Sequence, residues 1–413
     1  MSLFRFEITA RDGRARTGLL HTPHGVIETP AFVPVATRGA VQILSTADLQ
    51  RIGSQVLITN AYHLHLQPGE EVIRKLGGLH QFMGWPGPIM IDSGGFQVFS
   101  LGTGRTQGIG KVGPGKEKKP EPRSLPIEAA KSPLVRVDED GAEFISYLDG
   151  ARHRFTPETV LDAALDLGAD LIMVLDECTS PLDSYEQTRK AMERTHRWAL
   201  RSLEAFRPRG SKGQALFGIV QGGDYEDLRR ESARFIGGLD FGGVAIGGAL
   251  GQSKANIGQV LEWTVPGLPE DKPRHLLGIG WVEDVLTAVY RGIDLMDCVA
   301  PTRLARTGTF LHKKEKRFRL RIRNREYRLD NRPVEEDCDC PTCRSYSRAY
   351  LRHLFMAGEP LGFHLAAIHN LFFMEALMKA IRTAIREGRP ADWISGFLTH
   401  SSPSSSSRTA GLT

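Results

Sequence analysis

The 413-residue chain has no run of eighteen apolar residues and no marked excess of either charge, with 53 basic residues against 48 acidic ones and a net charge of +5. The first absence argues against a membrane-spanning helix. The second leaves total charge silent about partners, so only its distribution is informative. Cysteine is scarce: five in the whole chain are too few for a disulfide scaffold, and clustered thiols in a reducing compartment more often hold metal. The opening "MSLFRFEITARDGRARTG" lacks the long apolar segment of a secretory signal, and a cytoplasmic location is expected. What is present is a globular composition, 41% hydrophobic and 24% charged, enough for one large domain or two ordinary ones.

Short apolar runs recur, end in Gly, Asp or another polar residue, and pass into helical patterns. They are "VLITN" (56–60), "PIMIDSGG" (88–95), "FISYLDG" (144–150), "LIMVLDE" (171–177), "ALFGIVQGG" (215–223), "GVAIGG" (243–248), "HLLGIG" (275–280) and "LMDCVAPT" (295–302). Near-continuous apolar strands mean burial on both faces. Between them lie helices such as the one opened by Thr156 as N-cap and Pro157 at the first helical position. About eight strand–helix units predict an α/β fold, a (β/α)8 TIM barrel, with an open doubly wound sheet as the alternative. In either case function belongs at the C-terminal strand ends, where Asp92, Asp149, Asp176, Gln221 and Asp297 fall.

Three stretches break the rhythm. Residues 101–135 hold six glycines and seven basic residues with little apolar content, and read as a flexible surface insertion. Within it "GKVGPGK" imitates a phosphate-binding loop, but Glu117 replaces the required Ser or Thr and no strand leads in. The tail from residue 396 reads as disordered. From Lys313 to Arg328 nine basic residues accompany two acidic ones, and Arg319, Arg321 and Arg323 alternate with Leu320 and Ile322. Period two predicts a strand with a basic face, either a charge-defended edge or a stripe for phosphates.

"CDCPTC" places Cys338, Cys340 and Cys343 within reach of one ion, leaving a fourth ligand to be found. His353, His364 and His369 lie downstream; His369, in the apolar helix "AAIHNLF", is the choice because an unpaired imidazole there is costly. Four protein ligands leave no open position, so the metal is expected to be structural Zn2+, one per chain. Asp92 runs into "SGGFQ", where glycines admit close approach of a ligand and Phe96 offers a stacking face. Asp297 precedes "CVAPTRLARTG" with Arg303 and Arg306. A lone acid at a strand end more often caps or pairs, but two on facing strands suit a retaining glycosyl transfer, one as nucleophile and one as acid and base.

"DSGGFQVFSLG", "VLDECTSP", "FGIVQGG", "AIGGALG", "GIDLMDCVAPTR" and "CDCPTC" with "YSRAYLRHL" and "IHNL" resemble, in order, the signatures of the tRNA-guanine transglycosylase (queuine tRNA-ribosyltransferase) family in its bacterial form. "GLLHTPHGVIETPAFVPVAT" and "NAYHLHLQPG" match as well, so the likeness spans roughly residues 5–385. The resemblance implies a cytoplasmic, homodimeric (β/α)8 barrel with an inserted zinc-binding subdomain. Its division would be a barrel over 1–311, the basic strand and zinc subdomain over 312–370, a C-terminal helix over 371–395 packed on the barrel, and the tail. The implied reaction exchanges guanine at the wobble position of tRNAs with GUN anticodons for a 7-deazaguanine base, with Asp297 as nucleophile and Asp92 as acid and base. The base would meet Asp92, Ser93, Gly94, Gly95, Phe96, Asp176, Cys178, Gln221, Gly222, Gly248 and Ala249. RNA would meet Gly278, Ile279, Gly280, Trp281, Val282, Glu283, Asp284, Thr302, Arg303, Leu304, Ala305 and Arg306. Cys338, Cys340, Cys343 and His369 fall on the zinc ligands.

Two motifs depart from the common pattern. Where many members read "GGLSVGE", this chain has "GGALGQSK" from Gly247; without the acid a cationic aminomethyl arm loses its partner, and Ala249 with Gly251 leaves room for queuine. "PTRLART" stands for "PTRNARN". Two other readings compete: a metal-dependent amidohydrolase barrel, suggested by His63 and His65 in "HLH", and a non-catalytic RNA-binding subunit.

Overall fold

The computed structural model describes residues 3–97, 109–110, 113–114, 135–180, 182–209, 213–248 and 256–400. Eight parallel strands form its core: β1 (Ala31–Pro34), β2 (Leu57–Asn60), β3 (Ile89–Asp92), β4 (Leu171–Met173), β5 (Ala215–Val220), β6 (Gly243–Ile246), β7 (Arg274–Leu276) and β8 (Leu295–Cys298). They pair in chain order, and β8 returns to β1 through Phe32 opposite Met296 and Val33 opposite Asp297. A bridge between Val35 and Ile58 joins β1 to β2 and completes the circuit of a (β/α)8 barrel. Strand residues are buried almost throughout, as expected when side chains fill the interior and helices cover the outside.

One strand assignment from the sequence is corrected. "FISYLDG" is not a barrel strand: Ala142–Ile145 is the middle strand of a separate antiparallel sheet with Val135–Val137 and Arg152–Phe155. Its Asp149-Gly150 pair is a hairpin turn, with Gly150 at φ +79° and Asp149 accepting the Ala151 N–H, not a strand end over the active face. The missing barrel strand is Ala31–Pro34, hidden by its four-residue length and flanking prolines.

The basic stretch is also less regular than period two implies. Only Arg319–Arg321 is a strand, paired antiparallel with Thr309–Leu311 between 3-10 turns at Lys316–Phe318 and Arg325–Leu329. The alternation survives over the centre, with Leu320 and Ile322 buried and Arg321 and Arg323 exposed. Beyond it, helices Arg348–Ala357 and Pro360–Arg386 break at Gly358 as expected. The second helix runs unbroken through residues 370 and 371, where a domain boundary was expected, and the final helix Pro390–His400 enters the expected tail. Helix Pro360–Arg386 is long and apolar enough to cross a membrane by composition, yet it buries His369, Asn370 and Arg382 against the barrel and the cysteine cluster. The insertion, apart from residues 109–110, 113–114 and 135, and the tail beyond His400 lie outside the described residues.

At the N-terminal end of the barrel, two acids fasten the antiparallel sheet of Arg5–Asp12, Ala15–Thr22 and Gly25–Thr29. Asp294 takes Arg16 Nε at 2.9 Å and Nη2 at 2.5 Å, both partners being buried, and also accepts the Arg274 N–H. Asp170 bonds His24 Nδ1 at 2.7 Å, His80 Nε2 at 3.1 Å and the Ile89 N–H at 2.8 Å. Burial alone would raise its carboxyl, but the bonds to His80, His24 and Ile89 outweigh that and hold it below the usual carboxylate range. Asp294→Ala is expected to lower the unfolding free energy by about 3–5 kcal/mol in a denaturant titration, because it strands the Arg16 charge; Asp149→Ala, on an exposed turn, is expected to leave the denaturation midpoint unmoved.

Candidate active site and metal cluster

Asp92 ends β3, and Asn60, ending β2 opposite it, donates from Nδ2 to Asp92 Oδ2 at 2.8 Å and to Gln97 Oε1 at 2.9 Å. The following Gly94 sits at φ +90°, and a Cβ there would meet the Tyr62 Cβ at 2.6 Å; one on Gly95 would meet the Asp176 carbonyl and carboxylate oxygens at 2.5 Å. The two glycines thus let the Ser93–Phe96 turn lie between Tyr62 and Asp176. Asp176 follows β4, is 5% exposed, and accepts Gln221 Nε2 at 2.6 Å from the end of β5, with Cys178 Sγ at 3.4 Å. Burial first, and then repulsion from Asp92, push the Asp176 carboxyl up to about 6. Gln221 Oε1 is buried and has no hydrogen-bond partner among the described residues, so the cluster offers an acceptor as well as a carboxylate.

The backbone beside this cluster is held by a residue with no motif around it. Arg229, wholly buried on helix Glu226–Gly237, donates to the carbonyls of Gly223, Val220, Gly247 and Gly248 at 2.7–3.3 Å. It therefore ties the turn after β5, with Gly222, to the turn after β6. Burial lowers its guanidinium to about 10, which leaves it charged at neutral pH. Ala249 and the rest of the departing pocket loop lie outside the described residues.

Asp297 in β8 is 8% exposed; its Oδ1 accepts His275 Nε2 from β7 and the Gly278 N–H, each at 3.0 Å. Next to it, helix Ala300–Arg306 carries Thr302, Leu304 and Ala305 inward or half-inward, with Arg303 exposed and Arg306 half-buried. Burial first and then Arg303 lower the Arg306 guanidinium, and neither arginine has a carboxylate ion partner among the described residues. Gly278 to Asp284 form the turn after β7 and the first residues of helix Val282–Tyr290; Ile279, Val282 and Asp284 are buried, Gly280 is packed on Cys298, and Trp281 and Glu283 are half-exposed. The Arg319 guanidinium lies over the Trp281 ring at 4.0 Å, so the basic strand adjoins the same barrel face.

Cys338, Cys340 and Cys343 surround His369 Nδ1, with Sγ to Nδ1 distances of 3.9, 3.5 and 3.3 Å. Ligands at tetrahedral angles around zinc would lie about 3.6 Å apart. His369 Nε2 donates to the Leu311 carbonyl at 2.7 Å, so its proton is there and the Nδ1 lone pair faces the sulfurs. The residues fit a four-coordinate metal ion. His63 and His65 join no such cluster among the described residues: His65 bonds Glu70 and His153, and burial, then Arg38, lower His63 to about 4.

The family model for queuine tRNA-ribosyltransferase matches residues 12–113 and 127–403. The chain belongs to the queuine tRNA-ribosyltransferase family. Family members named queuine tRNA-ribosyltransferase are 46% identical in Roseiflexus sp. (strain RS-1), over 94% of this chain and 98% of the relative, and 46% identical in Pelotomaculum thermopropionicum, over 95% and 97%. A third, from Herpetosiphon aurantiacus, is 45% identical over 97% of this chain and 94% of its own length. The family is one of pentosyltransferases.

Against this background the expected residues divide cleanly. Asp92, Ser93 to Phe96, Asp176, Cys178 and Gln221 are brought together at the ends of β3 to β5, the turns that carry Gly222 and Gly248 are joined through Arg229, and Asp297 stands on β8 with the arginine helix. Asn60, Arg229 and His275 were not anticipated. Asn60 shares the strand-end position that marked the acids, and His275 interrupts an apolar strand, so both left a signal; Arg229 looks like any charged residue of a surface helix. Cys340→Ser is expected to lose one equivalent of bound metal per chain and at least about 3 kcal/mol of stability. Metal analysis of purified protein checks this, and full retention of metal would contradict the Cys3His assignment.

Proposed function

We propose that this chain exchanges the wobble guanine of tRNAs with GUN anticodons for a 7-deazaguanine base, queuine or 7-aminomethyl-7-deazaguanine, through a covalent ribosyl-Asp297 intermediate. The observation that carries the reading is the joining of Asp92, Asp176 and Gln221 at adjoining strand ends, in a chain of this family whose β8 offers a second carboxylate. An ionised Asp176 can accept both N1–H and the amino group of guanine, while Gln221, the Gly248 backbone and Phe96 add edge and stacking contacts. Asp297 forms a bond to the ribose anomeric carbon as the glycosidic bond breaks; the electron pair leaves with guanine, which takes up a proton through Asp92. The incoming base reverses the sequence, so no energy cofactor is required.

Arg303 and Arg306, lacking carboxylate ion partners among the described residues, suit the phosphates flanking the wobble nucleotide, and Gly278–Asp284 the adjoining backbone. Zinc is the ion that best fits the Cys3His ligand set; bound there it supplies a structural crosslink. With this reading go a homodimer, a cytoplasmic location, and a division into barrel, basic and zinc-bearing insert, and terminal helix. Possession of both Asp92 and Asp297 favours it over a non-catalytic subunit, and the isolation of His63 and His65 from any metal cluster favours it over an amidohydrolase.

Incubation of unmodified GUN-anticodon tRNA with each labelled base tests the reaction. Queuine is expected to be incorporated, since the pocket loop lacks the acid that would hold a cationic arm; exclusive use of the aminomethyl precursor would contradict that preference, and incorporation of neither would contradict the reaction. Because Asp176 is neutral below about pH 6, the KM for the base is expected to rise as pH falls through that value. A KM flat from pH 5 to 8 would remove Asp176 from base recognition.

A further inference from the structure

His275 is wholly buried in β7, between Arg274 and Leu276, and its side chain meets Asp297 of β8. Its Nε2 lies 3.0 Å from Asp297 Oδ1, and its Nδ1 is buried with no hydrogen-bond partner among the described residues. A carboxylate only accepts, so Nε2 carries the proton shared with Asp297. Burying an imidazole with one nitrogen unpaired is unfavourable, and a purely structural residue at this interior strand position would be served by Leu or Val. The compensating contact is the one to Asp297. The Gly278 N–H, 3.0 Å from the same oxygen, is a second donor to Oδ1.

We infer that His275 is a positioning residue for Asp297, which with the Gly278 N–H holds Oδ1 as the charge-accepting oxygen and directs the attack to Oδ2. The inference rests on the assignment of Asp297 as the nucleophile. In the first half-reaction an Oδ2 electron pair forms the bond to the ribose anomeric carbon while the bond to guanine breaks, and Oδ1 becomes the carbonyl oxygen of the ribosyl ester. In the second half the incoming base supplies the electron pair, the Oδ2–carbon bond breaks, and negative charge returns to the carboxylate. Donors aimed at Oδ1 are strengthened as that charge develops, so they make Asp297 a better leaving group. In the first half the charge is being lost, and the same donors give no comparable help. The two half-reactions should therefore respond unequally to removal of the His275 N–H.

The test measures, with full-length enzyme and GUN-anticodon tRNA, formation of the covalent RNA–protein adduct without added base and its discharge by labelled base. His275→Phe keeps a flat ring and removes the donor; His275→Gln keeps an N–H of similar reach. Discharge is expected to slow tenfold to a hundredfold in His275→Phe, with adduct formation changed much less, the steady-state adduct fraction raised, and the KM for tRNA unchanged. His275→Gln is expected to recover most of the discharge rate. Discharge at the wild-type rate in His275→Phe, or an equal fall in both half-reactions that His275→Gln fails to repair, would overturn the assignment while leaving Asp297 as nucleophile. A wild-type enzyme that forms no adduct would overturn both.

Discussion

The adjacent residues His369 and Asn370, buried in the long terminal helix, hold the three cysteines, the strand pair of the basic segment and the helix after β8 in one arrangement. His369 gives Nδ1 to the three sulfurs and its Nε2–H to the Leu311 carbonyl. Asn370 accepts the Leu311 N–H at 2.7 Å and donates to the carbonyls of Pro301 and Thr309 at 3.0 Å. Three backbone groups of the segment leading out of the barrel are thus satisfied by a single side chain. Pro301 opens the helix that carries Arg303 and Arg306, four residues after Asp297. A cluster too closed for catalysis therefore still bears on the active face, by fixing the segment that follows the candidate nucleophile.

The two ends of the barrel use acids in opposite ways. At the N-terminal end Asp170 and Asp294 are saturated by histidine, arginine and backbone donors and fasten a sheet. At the C-terminal end Asp92 and Asp176 accept the neutral Asn60 and Gln221 amides, and Asp297 accepts the His275 ring and the Gly278 N–H. Neutral donors orient a carboxylate without neutralising it. Burial of Asp176, with the neighbouring charge of Asp92, is the corresponding cost, visible as a carboxyl raised to about 6.

The barrel was legible because its strands are buried on both faces and end in small or polar residues, a pattern that survives without long-range information. It failed where another structure writes the same pattern: "FISYLDG" ends in Asp-Gly like a barrel strand, but there the pair makes a hairpin. "AFVP" was too short to register. The acids and the cysteine set were legible through residue type and spacing, helped by resemblance to the family. Asn60 and His275 left only a position or a break in an apolar run, and Arg229 left nothing, because the partners that define their roles, Asp92, Asp297 and the Gly248 carbonyl, are brought near only by the closed barrel. The alternating arginines predicted a strand over sixteen residues, and 3-10 turns cut it to three, although the alternation of a buried apolar face with an exposed basic one holds at its centre.

The central claim is that Asp297 carries the ribose between two bases. Its most direct measurement is to quench enzyme and GUN-anticodon tRNA during turnover, digest the RNA–protein adduct and map the modified peptide. The account predicts a single ribosylated residue, Asp297, and no adduct in Asp297→Ala. An adduct on Asp92 or elsewhere, or one undiminished in Asp297→Ala, would contradict it.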